Sequence, residues 1–379
     1  MPNILTLNKI APCGLSRFPA GYVCGDSAES PAAILVRSAS MHDMPLDPAT
    51  LAIARAGAGV NNIPIEACTA RGIAVFNTPG ANANAVKELV IAGLFLSSRK
   101  VGEALRWCLG LKGAGEAVGK LVEKGKSDFA GPEIMGKTLG LIGLGAIGGL
   151  AANAAAALGM TVIGVDPYLS PGAKAGLSPA VTVLDDQAEL IARSDYISLH
   201  LPLTRDTKGF FNADMLAAAK DGVRLLNFSR AELVDSAGLL AALESGKCAA
   251  YVTDFPTDEL IGVPGVTAIP HLGASTPESE DNCAMMAVDQ LTAYLERGEV
   301  VNAVNLPTAK LPAEFKNRVC VIHTRTEEEL LAALPAKPVN VLTNTRGGVS
   351  YTAADFDQAV DTARAAALEG VLRVRALKS

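Results

Sequence analysis

Short apolar runs and longer alanine-rich stretches alternate along most of the 379-residue chain. Upstream runs such as "AAILVRSA", "LAIARAGAGV" and "GIAVFNTPG" are nearly continuous in apolar character, as are "DYISLHLP", "GVRLLNFSR", "AAYVTDFP" and "GVTAIPHLG" further along. This is the pattern of strands buried on both faces, as in parallel sheets, and not the in-out alternation of a half-exposed antiparallel sheet. The segments between them, among them "NADMLAAAK" and "SAGLLAALESG", have helical character. Strands and helices in alternation predict an α/β protein with helices packed on parallel sheets.

From Thr138 to Val165 the chain runs 28 residues without a charge, long enough to span a bilayer. Seven glycines punctuate it and its periodicity changes twice, so the pattern predicts strand, turn, helix, turn, strand. "KTLGLIG" is the first strand, "AIGGLAANAAAALG" a helix that Gly159 stops, and "TVIGVD" the second strand. In a βαβ unit of this kind the run "GLGAIGG" has defined work to do. Gly143 permits the tight turn, Gly145 lets the backbone approach a pyrophosphate, and Gly148 lets helix and strand pack closely. Ala146 and Ile147 open the helix, where free N–H groups receive the phosphates. Asp166 ends the second strand, 18 residues beyond Gly148, placed to accept the adenine-ribose hydroxyls. Its charge repels a 2′-phosphate and no arginine follows in "DPYLSP", which favours NAD over NADP. The competing reading is a strand-to-helix turn with no ligand; both strands, the helix and Asp166 falling in register count against it.

Composition narrows the partners. The net charge is −6 and no Lys/Arg cluster stands out, so nothing offers a basic face to nucleic acid or anionic lipid, and small molecules are the expected partners. Seven scattered cysteines with no C-x-x-C pair suggest reduced, structural thiols and no metal site. "MPNILTLNKI" lacks the charged head and long apolar run of a signal peptide, so the expectation is a soluble, cytoplasmic protein. The length suits two or three domains.

Polar residues gather where the strands end, and ligands of open parallel sheets bind at the carboxyl edge. Arg230 follows one strand, Asp254 and Glu259 another, and His271 a third. Oxidation of a 2-hydroxy acid needs a base for the hydroxyl proton and a cation for the carboxylate. His271 suits the first role and Arg230 the second, with Glu259 to hold the imidazole.

"LGLIGLGAIG", "VDPY", "SLHLPLTRDTKGFF", "NFSRAELVD" and "IPHLGAST" resemble, in that order, the motifs of the D-2-hydroxyacid dehydrogenases, particularly of the branch that oxidises a 3-phosphorylated glycerate for serine synthesis. The stretch "ARAGAGVNNIPIEACTARGIAVFNTPGANANAVKE" is similar to that family's substrate-domain segment, and the resemblance covers roughly residues 1 to 307. It implies a Rossmann-type NAD-binding domain, residues 99–274, inserted in a flavodoxin-like substrate domain made of residues 1–98 and 275–303. It implies Arg230 and His271 as catalytic groups, and Ala58, Gly59 and Val60 as the loop whose N–H groups hold the substrate carboxylate, with Asn82 also on the substrate side. It places His200 and Pro202 along the dinucleotide, with Asp254 and Gly273 beside it, and implies a homodimer or homotetramer joined through the nucleotide domains. Where the family shows Asp-x-Phe-x-x-Glu-Pro this chain reads "TDFPTDEL": counting 29 residues from Arg230 gives Glu259, whereas alignment on "FPT" gives Asp258. We take Glu259, whose longer side chain reaches a histidine more easily. Arg37 with Ser38, at the end of "AILV", is a candidate contact for a substrate phosphate, although a strand-terminal arginine is as often merely solvated. Lys9 has the same ambiguity, and His42 and His323 read as surface or packing residues.

Beyond about Val304 the pattern changes. "NRVCVIH", "TEEELLAAL", "PVNVLTN", "GGVSYTA", "DFDQAVDTARAAALEG" and "VLRVRAL" predict strand, helix, strand, strand, helix, strand: a small ferredoxin-like domain over residues 304–379. It resembles the ACT domain, yet "HTRTEEE" lacks the Asn-x-Pro-Gly turn that brings a ligand to the backbone, so the expected role is joining subunits and not sensing serine. Two alternatives to the main reading remain: a sister enzyme for hydroxypyruvate, glyoxylate or D-lactate, and an NADH-sensing scaffold without turnover.

Overall fold

The computed structural model describes residues 2–379, which form two compact units, residues 2–82 with 277–379, and residues 83–276. The division falls at Asn82 and Thr276, against the expected 98 and 274. Its cause is the helix Ala83–Arg99, whose buried Val86, Val90 and Leu94 share a cluster with Leu139, Tyr196 and Val252. Gly93 allows that packing: a Cβ there would lie 2.8 Å from the Phe228 ring.

In the first unit β1 (Asn3–Leu7), β2 (Val23–Gly25), β3 (Ala33–Val36), β4 (Ala52–Arg55) and β5 (Ala74–Phe76) form a parallel sheet in the order β2-β1-β3-β4-β5. This is the doubly wound order of flavodoxin-like sheets. The helix Pro277–Arg297 returns to this unit and buries Cys283, Ala287, Leu291 and Tyr294 against Ile4, Leu35, Ala54 and Phe76. Each large apolar side chain buried here stabilises the unit by roughly 1.5–3 kcal/mol.

The second unit holds β6 (Thr138–Ile142), β7 (Thr161–Val165), β8 (Val181–Val183), β9 (Tyr196–Leu199), β10 (Val223–Asn227), β11 (Cys248–Thr253) and β12 (Val266–Ala268). They pair in parallel in the order β12-β11-β10-β9-β6-β7-β8, so the strand order reverses between β6 and β9, the switch point of a Rossmann sheet. The uncharged stretch resolves into β6, the helix Ala146–Ala157 and β7, with Gly159 at φ +82° ending the helix. Among the described residues no helix is long and apolar enough to cross a membrane.

The tail belongs to the first unit. β13 (Asn317–His323), β14 (Asn340–Arg346), β15 (Val349–Phe356) and β16 (Val371–Lys378) form an antiparallel sheet in the order β14-β15-β13-β16, with helices Glu327–Ala332 and Ala363–Ala366 completing the expected β-α-β-β-α-β sequence. The second helix is much shorter than the apolar pattern of "DFDQAVDTARAAALEG" suggests. Asp355 and Phe356 are taken into β15 instead, where Asp355 pairs with the buried Arg318 and Phe356 enters the core. Cys320, Ile322, Tyr351 and Ala353 join the same cluster as Tyr294, so this sheet shares a core with the parallel one.

Candidate active site

Gly143 sits at φ +96°, and a Cβ there would lie 2.4 Å from the His200 carbonyl oxygen, because the turn after β6 and the strand end of β9 meet at the switch point. At Gly148 a Cβ would come within 2.0 Å of the Gly143 carbonyl oxygen. A Cβ on Gly145 meets nothing within 4 Å. Two of the three glycines are therefore required by packing, and the third faces open space at a helix N-terminus. The N–H groups of Gly145, Ala146 and Ile147 donate to no protein acceptor among the described residues, and no side chain caps the helix. A helix end of that kind carries about half a positive charge and fits a pyrophosphate.

Asp166 is held in the same turn. Its carboxylate accepts from Leu144 N–H through Oδ2 and from Tyr168 N–H through Oδ1, both at 2.9 Å. It braces the glycine turn while keeping lone pairs for ribose hydroxyls. His200 packs beside the turn, its Nε2 2.9 Å from Ser198 Oγ, and burial pushes its pKa down to about 4. At neutral pH its ring is uncharged. Pro202 is exposed in the loop that follows, its carbonyl accepting from Thr207 Oγ1.

Asp254, at the end of β11, is wholly buried. Its Oδ2 accepts from Gly273 N–H at 2.9 Å, while Oδ1 has no partner. Desolvation raises its pKa, opposed by the Gly273 N–H and by the nearby His271. A buried carboxylate oxygen without a donor is a costly feature, and the orphaned atom fits the polar end of a nicotinamide. The donor set of this unit therefore fits a dinucleotide at both ends.

His271 lies on the exposed loop after β12, and its ring stands 4.5 Å from that of Phe255, centroid to centroid. The same Phe255 ring lies 5.6 Å from the guanidinium carbon of Arg230. Arg230 holds its own place through Nη1 to the Ser229 carbonyl, and its carbonyl accepts from Asn227 Nδ2. One aromatic ring thus spaces the two groups singled out for catalysis. Phe255 carries no chemistry of its own, and its place in the text "TDFP" gave no signal of this role. Glu259 and Asp258 are exposed in the following turn and form no hydrogen bond or ion pair with His271; the carboxylate whose charge reaches His271 is Asp254.

In the first unit four successive carbonyls of the loop after β4 are occupied. Gly57 accepts from Thr78 N–H (3.1 Å), Ala58 from Asn77 Nδ2 (2.6 Å), Gly59 from Arg55 Nη1 (2.6 Å) and Val60 from Ile63 N–H (3.1 Å). The N–H groups of Ala58, Gly59 and Val60 donate to no protein atom among the described residues. Three successive donors without a protein acceptor are available to an anion. Arg55, which the sequence pattern did not single out, is the side chain that turns the Gly59 carbonyl away. Arg37 pairs with Glu280 at 2.6 Å. Asn8 Oδ1 accepts from the Ser38 and Ala39 N–H groups, fixing the end of β3. Asn82 is half-buried at the end of this unit's first segment, just before the helix Ala83–Arg99. His42 is exposed and His323 buried in the tail sheet. Among the described residues no group of three or more His, Cys, Asp and Glu side chains is placed to hold a metal ion.

Residues 95–273 match the family model for the NAD binding domain of D-isomer specific 2-hydroxyacid dehydrogenases. The chain is 34% identical to the D-3-phosphoglycerate dehydrogenase of Mycobacterium leprae over 352 residues, 89% of this chain and 62% of that one. It is 36% identical to the D-3-phosphoglycerate dehydrogenase of Bacillus subtilis over 263 residues, covering 67% of this chain and 47% of the relative. The chain thus spans roughly half to three-fifths of the length of the curated relatives it matches. Among solved structures, the NAD+-bound 3-phosphoglycerate dehydrogenase of Entamoeba histolytica aligns with a TM-score of 0.63 and 26% identity, covering 80% of this chain and 98% of that one. A glyoxylate reductase from Paecilomyes thermophila aligns with a TM-score of 0.65 and 27% identity, covering 80% and 98%.

Proposed function

We propose that the chain, whose residues 95–273 match the model for the NAD binding domain of D-isomer specific 2-hydroxyacid dehydrogenases, oxidises D-3-phosphoglycerate to 3-phosphohydroxypyruvate, the first step of phosphorylated serine synthesis. The observation that carries this reading is the arrangement at one sheet edge, where Arg230 and His271 flank the Phe255 ring close to the buried Asp254. The glycine turn, Asp166 and Asp254 would hold NAD, which would supply the hydride acceptor for C2. His271 takes the C2 hydroxyl proton, Arg230 orients the carboxylate and steadies charge developing on the reacting oxygen, and the N–H groups of Ala58, Gly59 and Val60 hold the substrate carboxylate. Similarity to named D-3-phosphoglycerate dehydrogenases supports the phosphorylated substrate. In this reading Glu259 supports His271, and Asp254 is a second acidic neighbour whose carboxyl feels the charge of His271.

The test is a panel of initial rates with NAD on D-3-phosphoglycerate, D-glycerate and D-lactate, and with NADH on hydroxypyruvate and glyoxylate. The expected result is the highest kcat/KM on D-3-phosphoglycerate. A higher value on an unphosphorylated acid assigns the chain to a sister activity, and no turnover on the panel assigns it to NADH sensing.

Our reading of the tail is an ACT-like module that joins subunits, supported by its β-α-β-β-α-β order. We read the protein as a cytoplasmic homodimer or homotetramer. What supports association is a cluster of exposed apolar residues on the helical excursion before β6, where Val101, Leu105 and Leu109 are 48%, 63% and 70% exposed. Light scattering that finds a monomer contradicts it.

A further inference from the structure

The strand-end cation Arg37 is not free: its Nη2 lies 2.6 Å from Oε1 of Glu280, in the first turn of the helix Pro277–Arg297. Its backbone is pinned from several sides. The Arg37 carbonyl accepts from Arg55 Nε at 2.9 Å and from Asn62 Nδ2 at 3.4 Å, and the two N–H groups that follow are held by Asn8. Asn8 itself is in the left-handed region, at φ 74°, so this corner is built to hold one shape. The guanidinium is therefore the part of Arg37 that can change partners. Glu280 has a second source of stabilisation, since the N-terminal end of a 21-residue helix favours a carboxylate in its first turn. Withdrawing Arg37 leaves that carboxylate partly compensated and half-exposed to water, so the pair can exchange.

We propose that Glu280 is a positioning residue that tempers affinity for the distal phosphate of the substrate by acting as a replaceable counter-ion on Arg37. This rests on the reading of the chain as an enzyme of a phosphorylated 2-hydroxy acid. With Glu280 in place the cation is already neutralised, and an incoming group must out-compete a carboxylate for it. A phosphate monoester carries about 1.5 to 2 negative charges at pH 7 and three acceptor oxygens, so it can displace a single-contact carboxylate. A neutral hydroxyl, as in D-glycerate, cannot. Removing the charge of Glu280 should then tighten that substrate through Arg37 and through nothing else.

The experiment compares wild type with Glu280→Gln, Glu280→Asp, Arg37→Ala and the Glu280→Gln/Arg37→Ala double variant. It reads KM and kcat on D-3-phosphoglycerate and D-glycerate, and the Kd of D-3-phosphoglycerate by calorimetric titration. The expected outcome is a fall of about 1.5- to fivefold in KM and Kd for D-3-phosphoglycerate in Glu280→Gln, the size of an exposed ion pair. Selectivity over D-glycerate should rise by the same factor, with Glu280→Asp between the two. In the Arg37→Ala background the substitution at 280 should have no effect, since a merely structural role would persist there. A KM that stays level or rises in Glu280→Gln, or an effect that survives without Arg37, overturns the proposal. Wild type that turns over D-glycerate but neither binds nor turns over D-3-phosphoglycerate shows instead that the substrate reading has failed, and the proposal falls with it.

Discussion

The Phe255 ring and the His271 imidazole lie 4.5 Å apart, centroid to centroid, with their planes tilted by 45°. A tilted aromatic pair of this kind is worth about 0.5–1.5 kcal/mol beyond the area it buries. The guanidinium of Arg230 adds a comparable cation–π contact to the same ring. Since His271 is on an exposed loop, this ring is the contact that limits where its imidazole points. Phe255→Ala should lower kcat by about tenfold to a hundredfold through misplacement of both groups, with NADH affinity less affected. Removing the base outright should cost more: His271→Ala is expected to lower kcat by about two to four orders of magnitude. Steady-state kinetics on both variants check the order. Phe255→Ala with wild-type kcat shows that the ring is only packing.

Asp166 predicts an asymmetric change in cofactor preference. Its carboxylate repels a 2′-phosphate, but it also accepts from Leu144 and Tyr168 and so fixes the turn on which either dinucleotide must sit. Hydrogen bonds to a charged acceptor contribute about 1.5–3 kcal/mol. Asp166→Ala should therefore narrow the NADH-to-NADPH ratio of kcat/KM chiefly by lowering the NADH value, roughly tenfold or more. A large gain with NADPH and an unchanged NADH value would show that the bracing contributes nothing. Wild type showing equal kcat/KM for the two cofactors removes the charge argument as well.

His200 predicts an acid limb in stability. Burial lowers its folded-state pKa to about 4, against about 6.5 when unfolded. The sign follows from which state binds the proton more tightly. Above pH 6.5 neither state binds it and His200 contributes no pH dependence. Between about 6.5 and 4 the unfolded chain takes up a proton that the folded chain refuses, so stability falls as pH falls. His200→Gln should flatten that part of the melting-temperature profile of the full chain. An unaltered slope between pH 6.5 and 4 would mean that the ring protonates freely in the folded state.

Much of this was legible beforehand, and what escaped did so for physical reasons. The glycine turn could be read because Gly143 and Gly148 answer to backbone approaches that admit no Cβ, and such demands write themselves into sequence. The boundary at Asn82 could not be read, because the helix Ala83–Arg99 has apolar residues suited to either unit and only tertiary packing assigns it. Arg55 and Phe255 were passed over for a related reason. Each acts by holding another group, Arg55 a carbonyl oxygen and Phe255 two side chains, and a spacer of this kind has no spacing rule. The support of His271 by Glu259 rests on a residue count and on the reach of a longer acid, and Glu259 is exposed in its turn with no hydrogen bond to the ring in the conformation described. In the tail, the helical pattern of "DFDQAVDTARAAALEG" lost its first residues to β15, where a buried Arg318 required the Asp355 carboxylate.

The tail sheet predicts the behaviour of the whole first unit. Arg375 donates to the Tyr294 and Leu295 carbonyls at 3.0 and 2.7 Å, Arg318 to Arg297 at 2.8 Å, and Tyr351 to Gly298 at 2.5 Å. Three of these donors reach carbonyls in the last turn of the helix Pro277–Arg297, where a cation is favoured by the helix dipole, and the fourth reaches the Gly298 carbonyl just beyond it. The loop after β13, where a regulatory ligand would approach the backbone, is closed by the tail itself. Thr324 Oγ1 and Arg325 Nε reach the Gly370 and Glu369 carbonyls, and Glu329 is engaged in a capping box with Thr326. Arg375→Ala should accordingly lower the melting temperature by several degrees, since two charge-assisted bonds of about 1.5–3 kcal/mol each are lost and the carbonyls are left buried. L-serine at 10 mM should neither raise the melting temperature of the full chain nor inhibit it, because a ligand that binds the folded state must stabilise it. Truncation after Pro307 is the wrong control for this, since it strips Cys320, Ile322 and Tyr351 from the core that contains Tyr294 and should yield an unstable first unit. Saturable inhibition by L-serine with a parallel rise in melting temperature, in the intact chain, would show that the tail senses the amino acid after all.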